Sequence, residues 1–340
     1  MVSKFKFMKV LIITISLLIL NQTIKAQGLI FDATEFAKRE KIEETRAELP
    51  DSASLKKYTP LLYPQIGSTC VAFSFAHART ILYAKKLNWT DKQKITTLSF
   101  SPFFIYYRNK TSGDLGCKSG LNIEVAAKDV LKNGIAPIVD VEYPDYYPFS
   151  GTALCIDKKG DTYPPAMASD LKSAQNFKID ALYAVTSIAE IKTALFNGMP
   201  VILCLYLPTS FNTVKGDLWV PQSTDKISKL NGHALIAVGY DENKYGGAIE
   251  LMNSWGEKWG NKGFIWVKYK DYLKWFLGGY ALYVDNSINA KSTSISEFIP
   301  AKAKIEKMTM KLNVDSGKEK TSFNNSEFIK PFLNLENNKK

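Results

Sequence analysis

The spacing of apolar residues changes from a helical to a strand pattern near residue 180. Over Cys70–Lys86 the chain contains no Gly or Pro, and apolar or small side chains recur every three or four positions. This pattern predicts a helix that Ser68 or Thr69 can cap. A second helix is predicted over Ile123–Leu131, directly after a capping Asn122. The first half of the chain is therefore expected to be mainly helical.

Short apolar runs bounded by Gly, Asn and Asp follow residue 180 and predict the strands of an antiparallel sheet or barrel. One helix interrupts them, and it opens with a capping box of Ser187 and Glu190 and closes at Gly198. A helical half followed by a strand-rich half predicts an α+β fold of two lobes with a cleft between them. The predicted strands cover residues 181–186, 201–207, 234–240, 249–252, 264–268 and 281–284.

The first 26 residues have the pattern of a signal peptide. Lysines in the first nine residues precede a charge-free, mostly apolar run over Val10–Leu20, and the small residue Ala26 ends the segment. We expect residues 1–26 to be removed and the protein to be exported, either secreted or periplasmic, with no membrane insertion after signal removal. A retained membrane anchor is the alternative, because Ile24 is larger than signal peptidases usually prefer there.

The remaining chain divides into three predicted parts. Residues 27–57 form an amino-terminal arm or short leader, in which Glu and Lys or Arg three and four positions apart over Phe31–Leu49 predict helix. Residues 58–285 form the main domain, with a left lobe over 58–175 and a right lobe over 176–285. Residues 286–340, rich in Lys, Asn and Ser, form a tail of uncertain order.

Composition narrows the classes of function. The chain has 340 residues, of which 46% are apolar, and this is enough for a large core. The formal net charge is +11, but the lysines are scattered and form no basic stripe interleaved with aromatic residues. We therefore expect no nucleic-acid partner. We expect neither a metal nor another cofactor, and the oligomeric state is left open.

Cys70 has the position that an activated thiol requires. The first turn of a helix supplies partial positive charge from unpaired backbone N–H groups, and this charge lowers the pKa of a thiol. A thiol nucleophile also needs a base that takes its proton and later protonates the leaving amine. His77 lies two turns along the same helix, about 10 Å away along the axis. His233, the other histidine, is therefore the candidate base.

His233 and Asn253 occupy places that suit a rigid pair. His233 follows a Gly and leads directly into an apolar strand, and Asn253 directly follows the predicted strand 249–252. An amide oxygen that accepts the ring N–H would hold the imidazole in one tautomer and one orientation. Trp255 would screen that hydrogen bond from water.

The four cysteines differ in their surroundings. Cys70 must stay a thiol if it is the nucleophile, and Cys204 lies in an apolar run, where a buried cysteine behaves as a small hydrophobe. An exported protein meets an oxidising compartment, which permits a disulfide. The remaining two cysteines, Cys117 and Cys155, are the predicted pair.

Three segments carry the candidate residues. They are residues 67–74, Gly-Ser-Thr-Cys-Val-Ala-Phe-Ser, residues 232–234, Gly-His-Ala, and residues 253–265, Asn-Ser-Trp-Gly-Glu-Lys-Trp-Gly-Asn-Lys-Gly-Phe-Ile. In this order they resemble the nucleophile, histidine and asparagine segments of the papain-like cysteine peptidases, peptidase family C1. By this resemblance the chain is identified as a secreted member of bacterial type.

The resemblance implies a papain-like two-lobe fold, with a helical left lobe, an antiparallel β-barrel right lobe and the active site in the cleft. It implies an oxyanion hole formed by the Cys70 backbone N–H and an upstream glutamine amide, for which Gln65 is the candidate. The segment 116–120, Gly-Cys-Lys-Ser-Gly, is similar to a family loop that binds substrate. Gly120 matches the glycine that lets the substrate backbone pair with the enzyme.

The chain departs from the family pattern at several positions. Gln65 lies five residues before the nucleophile instead of six, and Val71 stands where the family has a Trp. Gly67 replaces a half-cystine, which frees Cys117 for another partner. The nucleophile is also farther from the His and Asn than the roughly 130–150 residues typical of the papain type. An inserted loop is therefore predicted between residues 143 and 175.

Three functions fit these residues. The first is thiol-dependent hydrolysis of a peptide or protein substrate through an acyl-enzyme on Cys70. A transpeptidase or another amide-transferring enzyme would share that acyl-enzyme, so the residues do not separate the two. The third is an inactive relative that binds peptides through the same cleft, and the intact set of Cys70, His233 and Asn253 argues against it.

Overall fold

The computed structural model describes residues 28–45, 48–114, 116–141, 168–226, 228, 232–272 and 274–285. Elements are numbered along these residues. The predicted signal peptide, Cys155 and the predicted tail lie outside them. No helix in this part of the chain combines the length and the apolar character needed to cross a membrane.

Helices dominate the first half of the chain and strands dominate the second. The helices are α1 (Ala33–Phe36), α2 (Cys70–Lys86), α3 (Lys92–Thr97), α4 (Pro102–Asn109), α5 (Ile123–Asn133), α6 (Ala168–Ala174), α7 (Ile188–Phe196), α8 (Thr209–Asn212) and α9 (Tyr269–Tyr272). The strands are β1 (Leu29–Ile30), β2 (Ser52–Ser54), β3 (Leu121–Asn122), β4 (Ala181–Val185), β5 (Val201–Tyr206), β6 (Leu218–Trp219), β7 (Gly232–Asp241), β8 (Ala248–Met252), β9 (Phe264–Lys268) and β10 (Phe276–Tyr283). The predicted α+β organisation is confirmed.

Helix α2 forms the centre of the helical lobe, with the bounds that the sequence predicts. Every side chain from Cys70 to Ala84 is buried, as expected of a helix surrounded by protein. His77 packs edge-on against Phe73, with ring centroids 5.5 Å apart, and burial lowers its pKa to about 4. A histidine that is neutral and packed in this way serves the core, in agreement with its exclusion as the base.

The start of α2 differs from the prediction in one respect. Thr69 is the N-cap residue, but its side chain makes no capping hydrogen bond. Its hydroxyl instead donates to the Ile66 carbonyl at 2.8 Å. The predicted cap is therefore wrong, because the hydroxyl stabilises the preceding turn, and the N–H groups of the first helical turn receive no side-chain acceptor from Thr69.

Other helix signals in the sequence hold. Asn122 caps α5 through its side-chain oxygen, which accepts from the N–H of Glu124 at 2.9 Å, and α7 opens with the predicted capping box. Helix α4, which the spacing analysis missed, carries its own signal in the Ser101 cap followed by a Pro at the first helical position. Helix α6 lies within the predicted inserted loop, so that segment is helical in its described part.

Eight of these strands form one sheet in the order β4-β10-β5-β7-β8-β9-β6, with β2 paired to β7, and β1 and β3 form a two-stranded sheet. Its pairs are antiparallel except for β6 with β9, which is parallel. The predicted antiparallel strands of the second lobe are thus present, and in the described residues no pairing joins the edge strands β4 and β6 into a closed barrel. The outer edge of β4 is already occupied, since Ala184 donates to the Glu40 carbonyl at 2.7 Å and accepts from Ile42 at 3.1 Å.

The arm that covers β4 is mostly extended. Among the described residues of the predicted helix over Phe31–Leu49, α1 alone is helical, with Asp32 as its cap. Backbone groups of Glu40 and Ile42 bond to β4 instead of to their own helical neighbours. Tertiary hydrogen bonds thus override a local helical charge pattern, and they draw the arm across both lobes.

Candidate active site

Cys70 is the first residue of α2, and its side chain is fully buried. Burial raises the pKa of the Cys70 thiol to about 11 and outweighs the lowering effect of backbone N–H groups on Ala234, Gly28, Val71 and Cys70 itself. The N–H groups of Cys70 and Val71 belong to the uncapped first turn of the helix, where the dipole favours negative charge. The surroundings of the sulfur are therefore suited to a thiolate but are dry.

His233 is the second residue of β7 and is also fully buried. The next residue, Ala234, contributes the N–H group that acts on the Cys70 sulfur, so β7 brings the imidazole and the thiol to the same point of the cleft. His233 Nε2 lies 2.8 Å from Asn253 Oδ1. Since Nε2 is engaged there, Nδ1 is the ring nitrogen through which proton exchange with a thiol would run.

Asn253 is held firmly as the first residue after β8. Its N–H donates to the Gly263 carbonyl at 3.0 Å, and its Oδ1 accepts from the Ser254 N–H at 2.8 Å in addition to the contact with His233. Trp255 lies over the imidazole, with ring centroids 4.7 Å apart and planes inclined by 38°. The pair is thus screened in the way that the sequence predicts.

Gln65 lies beside this pair, and its amide bonds to Gly67 and Ser254. Gln65 Nε2 donates to the Gly67 carbonyl at 2.8 Å, and Oε1 accepts from the Ser254 hydroxyl at 2.6 Å. The Gln65 backbone N–H donates to the Ser254 carbonyl at 2.7 Å. The side chain therefore links the nucleophile loop to the asparagine segment, and its oxyanion role stays a prediction.

Gly120 and Cys117 lie on the loop that faces the start of α2. The Cys117 carbonyl accepts from the Ser68 N–H at 2.6 Å, which joins the loop to the nucleophile segment. Cys70 and Cys204 are free thiols. The partner predicted for Cys117, Cys155, lies outside the described residues, so the bridge stays a prediction.

Asp114 organises this loop, and the sequence analysis missed it. Its carboxylate accepts from the Tyr106 hydroxyl at 2.7 Å and from the Lys118 N–H at 2.9 Å. The sequence around Asp114 contains no motif that predicts its hydrogen bond to the backbone N–H of Lys118, four residues later. Only the fold, which brings Tyr106 of α4 to this place, reveals its function.

The amino-terminal arm fills the cleft between the lobes. The Gly28 N–H donates to Cys70 Sγ at 3.3 Å, and the Gly28 carbonyl accepts from Leu121 at 2.8 Å. Strand β1 pairs parallel with β3, which places Leu29 opposite Leu121 and Ile30 opposite Asn122. The arm therefore lies where an extended peptide would have to bind.

Glycines make this narrow passage possible. A Cβ on Gly28 would collide with the Ser68 carbonyl, one on Gly120 with the Gly28 carbonyl, and one on Gly232 with the Leu29 carbonyl. The arm backbone thus touches the walls of both lobes directly. Gly120, predicted to pair with a substrate backbone, faces the backbone of the arm.

A second anchor holds the arm farther along. Arg39 forms an ion pair with Glu124 of α5, with Nη2 and Oε2 2.6 Å apart, and its guanidinium lies 5.3 Å from the ring centroid of Tyr280. Phe36 packs edge-on against the same Tyr280 ring at 5.2 Å. The arm is therefore fixed at the thiol and again beside α5.

Comparison with known proteins identifies the family. Residues 67–276 match the family model described as papain family cysteine protease. The chain belongs to the papain family of cysteine proteases. The predicted papain-like fold and the predicted class, a cysteine-type peptidase, are confirmed.

Relatives within and around this family are distant. An uncharacterized peptidase C1-like protein of Acanthamoeba polyphaga mimivirus is 27% identical over 71% of this chain and 75% of its own length. The crystal structure of xylellain, a cysteine protease from Xylella fastidiosa, has a TM-score of 0.61 at 22% identity over 77% of this chain and 97% of its own. A procathepsin B of Trypanosoma congolense has a TM-score of 0.56 at 15% identity, over 76% of this chain and 87% of its own.

The described part of this papain-family chain contains no group of three or more His, Cys, Asp or Glu side chains arranged to hold a metal ion. The chemistry that the described cleft supports is that of a thiol, an imidazole and an amide. These groups lie on three different elements, α2, β7 and the segment after β8.

Asn253→Ala is expected to lower kcat/KM for peptide hydrolysis by about 100-fold, because the imidazole loses the acceptor that fixes its tautomer. The matched control is Asn261→Ala in the same segment, whose side chain donates to Asp217 at 3.2 Å on the surface. Hydrolysis of a mixed peptide library is measured for both variants in an Arg39→Ala parent, which lacks the ion pair that anchors the arm to α5. Equal activity of the two variants would contradict the assigned role of Asn253.

Proposed function

We propose that the chain is an exported, thiol-dependent peptidase that hydrolyses peptide bonds through an acyl-enzyme on Cys70. The observation that carries the proposal is the arrangement of Cys70 at the uncapped start of α2 beside β7, with His233 2.8 Å from Asn253 beneath Trp255. Its substrates are peptides or proteins. It uses no nucleic-acid partner and no cofactor.

The reaction follows from these groups. His233 Nδ1 takes the proton of the Cys70 thiol, and the thiolate attacks the peptide carbonyl carbon. As the C–N bond breaks, the imidazolium returns the proton to the leaving amine, and a thioester remains on Cys70. His233 then deprotonates a water that attacks the thioester, which releases the carboxylic acid product and restores the thiol. Asn253 keeps the ring in the required orientation throughout.

Two donors would stabilise the oxyanion that forms in each step. The Cys70 backbone N–H is one, at the positive end of α2. Gln65 Nε2 is the second, because one of its N–H groups donates to the Gly67 carbonyl and holds the amide in place while the other would donate to the oxyanion.

The arm makes the described state latent. The Gly28 N–H contacts the sulfur, burial raises the pKa of Cys70 to about 11, and a thiol with that pKa stays protonated at neutral pH. Displacement or cleavage of the arm would admit both substrate and water, and hydration of the thiolate would lower its pKa. Activity therefore requires release of the arm from the cleft.

Export fits the remaining features of the sequence. We include in the proposal a signal peptide over residues 1–26, a secreted or periplasmic location of bacterial type, and a disulfide between Cys117 and Cys155. The free state of Cys70 and Cys204 supports this pairing, because it leaves the other two cysteines for each other. We also propose that the protein does not insert into the membrane after the signal peptide is removed.

A thiol-directed epoxide is expected to modify Cys70 in an Arg39→Ala parent, in which the arm is loosened. The adduct is expected to disappear in Arg39→Ala/Cys70→Ala and to form at least about 100-fold more slowly in Arg39→Ala/His233→Ala, since the base that generates the thiolate is lost. Intact mass and peptide mapping under non-reducing conditions locate the adduct.

The controls separate the possible outcomes of the labelling. Among the described cysteines Cys204 is also free but is fully buried, so an adduct there would report unfolding of the sample. Equal rates of labelling in Arg39→Ala and Arg39→Ala/His233→Ala would count against a thiolate–imidazolium pair. Added amines in a parallel digest distinguish hydrolysis from amide transfer, because transfer yields amide products in place of acids.

One observation favours a second candidate, an inactive relative that binds peptides. Gln65 Nε2 donates to the Gly67 carbonyl, so one of its two N–H groups is engaged within the protein. If the other N–H did not reach the oxyanion, the cleft would bind peptides without efficient turnover.

Gln65→Ala separates these candidates. In an active peptidase the variant is expected to lower kcat by about 10²–10³ with a much smaller change in KM, because the amide acts on the developing oxyanion. Ser254→Ala is the matched control, because it removes the hydroxyl that donates to Gln65 Oε1 at 2.6 Å and leaves the amide in place. Equal kcat values for the two variants would indicate that Gln65 only joins the two segments.

A further inference from the structure

Glu124 is a buried carboxylate in the wall of the cleft. It is the second residue of α5 and is 3% exposed while the arm is bound. The carboxylate accepts from Arg39 Nε at 2.9 Å and from Arg39 Nη2 at 2.6 Å. The Tyr280 hydroxyl of β10 donates to Glu124 Oε1 at 2.8 Å. The proposed catalytic steps use none of these groups.

The position of Glu124 relative to the thiol follows from strand pairing. Gly28 lies at Cys70 Sγ, Leu29 pairs with Leu121, and Ile30 pairs with Asn122. Glu124 follows Asn122 by two residues, in the first turn of α5. An extended chain advances about 3.3 Å per residue, whereas a helix rises about 1.5 Å per residue, so Glu124 lies about one extended residue beyond Asn122. A peptide bound along β3 therefore brings a side chain two or three residues from the reacting bond beside Glu124.

The surroundings of Glu124 form a pocket suited to a flat cation. The Tyr280 ring lies 5.3 Å from the Arg39 guanidinium, and Glu124 binds that guanidinium through both oxygens. Gly278 leaves room at the side of the pocket, where the Phe36 ring of the arm packs. A guanidinium satisfies both the paired acceptors and the aromatic face, whereas an ammonium makes a single-point contact.

Release of the arm removes the cationic partner of the Glu124 carboxylate. Arg39 leaves with the arm, and the Tyr280 hydroxyl is then the described group that still donates to Glu124. A carboxylate in a largely buried wall without a cationic partner is costly. An incoming arginine side chain would restore the interactions that Arg39 made, so substrates that carry one gain affinity over substrates that do not.

We propose that Glu124 is a specificity-determining residue, and that the open cleft selects peptides with an arginine two or three residues from the bond that is cut. The proposal rests on the peptidase function proposed above. In this view the arm holds the cleft closed partly because Arg39 occupies the substrate's arginine pocket. Lysine binds the pocket less well than arginine.

The test uses Arg39→Ala as the parent, so that the pocket lacks its internal occupant. Peptides of one sequence carry arginine, lysine or citrulline, the neutral counterpart of arginine with nearly the same shape, at each position in turn. Mass spectrometry of the products locates the cut. The parent is expected to cleave the best arginine peptide with a kcat/KM about 10- to 100-fold above that of its citrulline counterpart.

Glu124→Gln in the same parent is expected to reduce this arginine-to-citrulline ratio to about 1. Asp129→Asn is the matched control, because Asp129 lies on the same helix and pairs with Arg108, with Nη2 and Oδ1 2.5 Å apart. It is expected to leave the ratio unchanged. A ratio near 1 in the parent, or a high ratio retained by Glu124→Gln, would overturn the proposal.

A binding measurement keeps the proposal independent of turnover. The Kd values of the arginine and citrulline peptides are measured by calorimetry with Arg39→Ala/Cys70→Ala, which cannot cleave them. A preference for arginine that Glu124→Gln removes supports the proposal even if the protein proves to be an inactive relative. Loss of cleavage with that preference intact contradicts the peptidase function alone, and equal Kd values contradict the role of Glu124.

Discussion

The contact between the Gly28 N–H and Cys70 Sγ, at 3.3 Å, is the constraint on which the described state depends. It can form only because the backbone of the arm fits between the two lobes, against Gly120 on one side and Gly232 on the other. The same close fit excludes water from the thiol and raises its pKa to about 11. The features that close the cleft and those that silence the nucleophile are therefore the same.

Beneath the arm, Cys70, His233 and Asn253 lie on three elements of the main domain. Helix α2 presents Cys70 at its uncapped start, and the antiparallel pairing of β7 with β8 brings Asn253 within 2.8 Å of His233. Rigid positioning of this kind is what makes a site competent before substrate arrives. The proposed release of the arm therefore changes the solvation of the Cys70 thiol and access to it, while Cys70, His233 and Asn253 keep their positions.

The sequence predicts those features whose signals are local. The apolar spacing of α2, the Asn122 cap and the capping box of α7 depend on neighbouring residues, and all three hold in the structure. The path of the arm could not be predicted, because its charge pattern is helical while its hydrogen bonds go to β4 and its Arg39 to Glu124.

The most direct test of arm occlusion is the rate at which iodoacetamide alkylates Cys70 as a function of pH, with the site located by mass spectrometry. For the intact chain we expect slow alkylation of Cys70 at pH 7 and an alkylation rate that rises toward pH 11. Arg39→Ala should be at least about tenfold faster at pH 7, and Arg108→Ala, which removes a comparable ion pair on the helical lobe, should match the intact chain. Rapid alkylation of the intact chain at pH 7, equal to that of Arg39→Ala, would contradict occlusion of Cys70 by the arm.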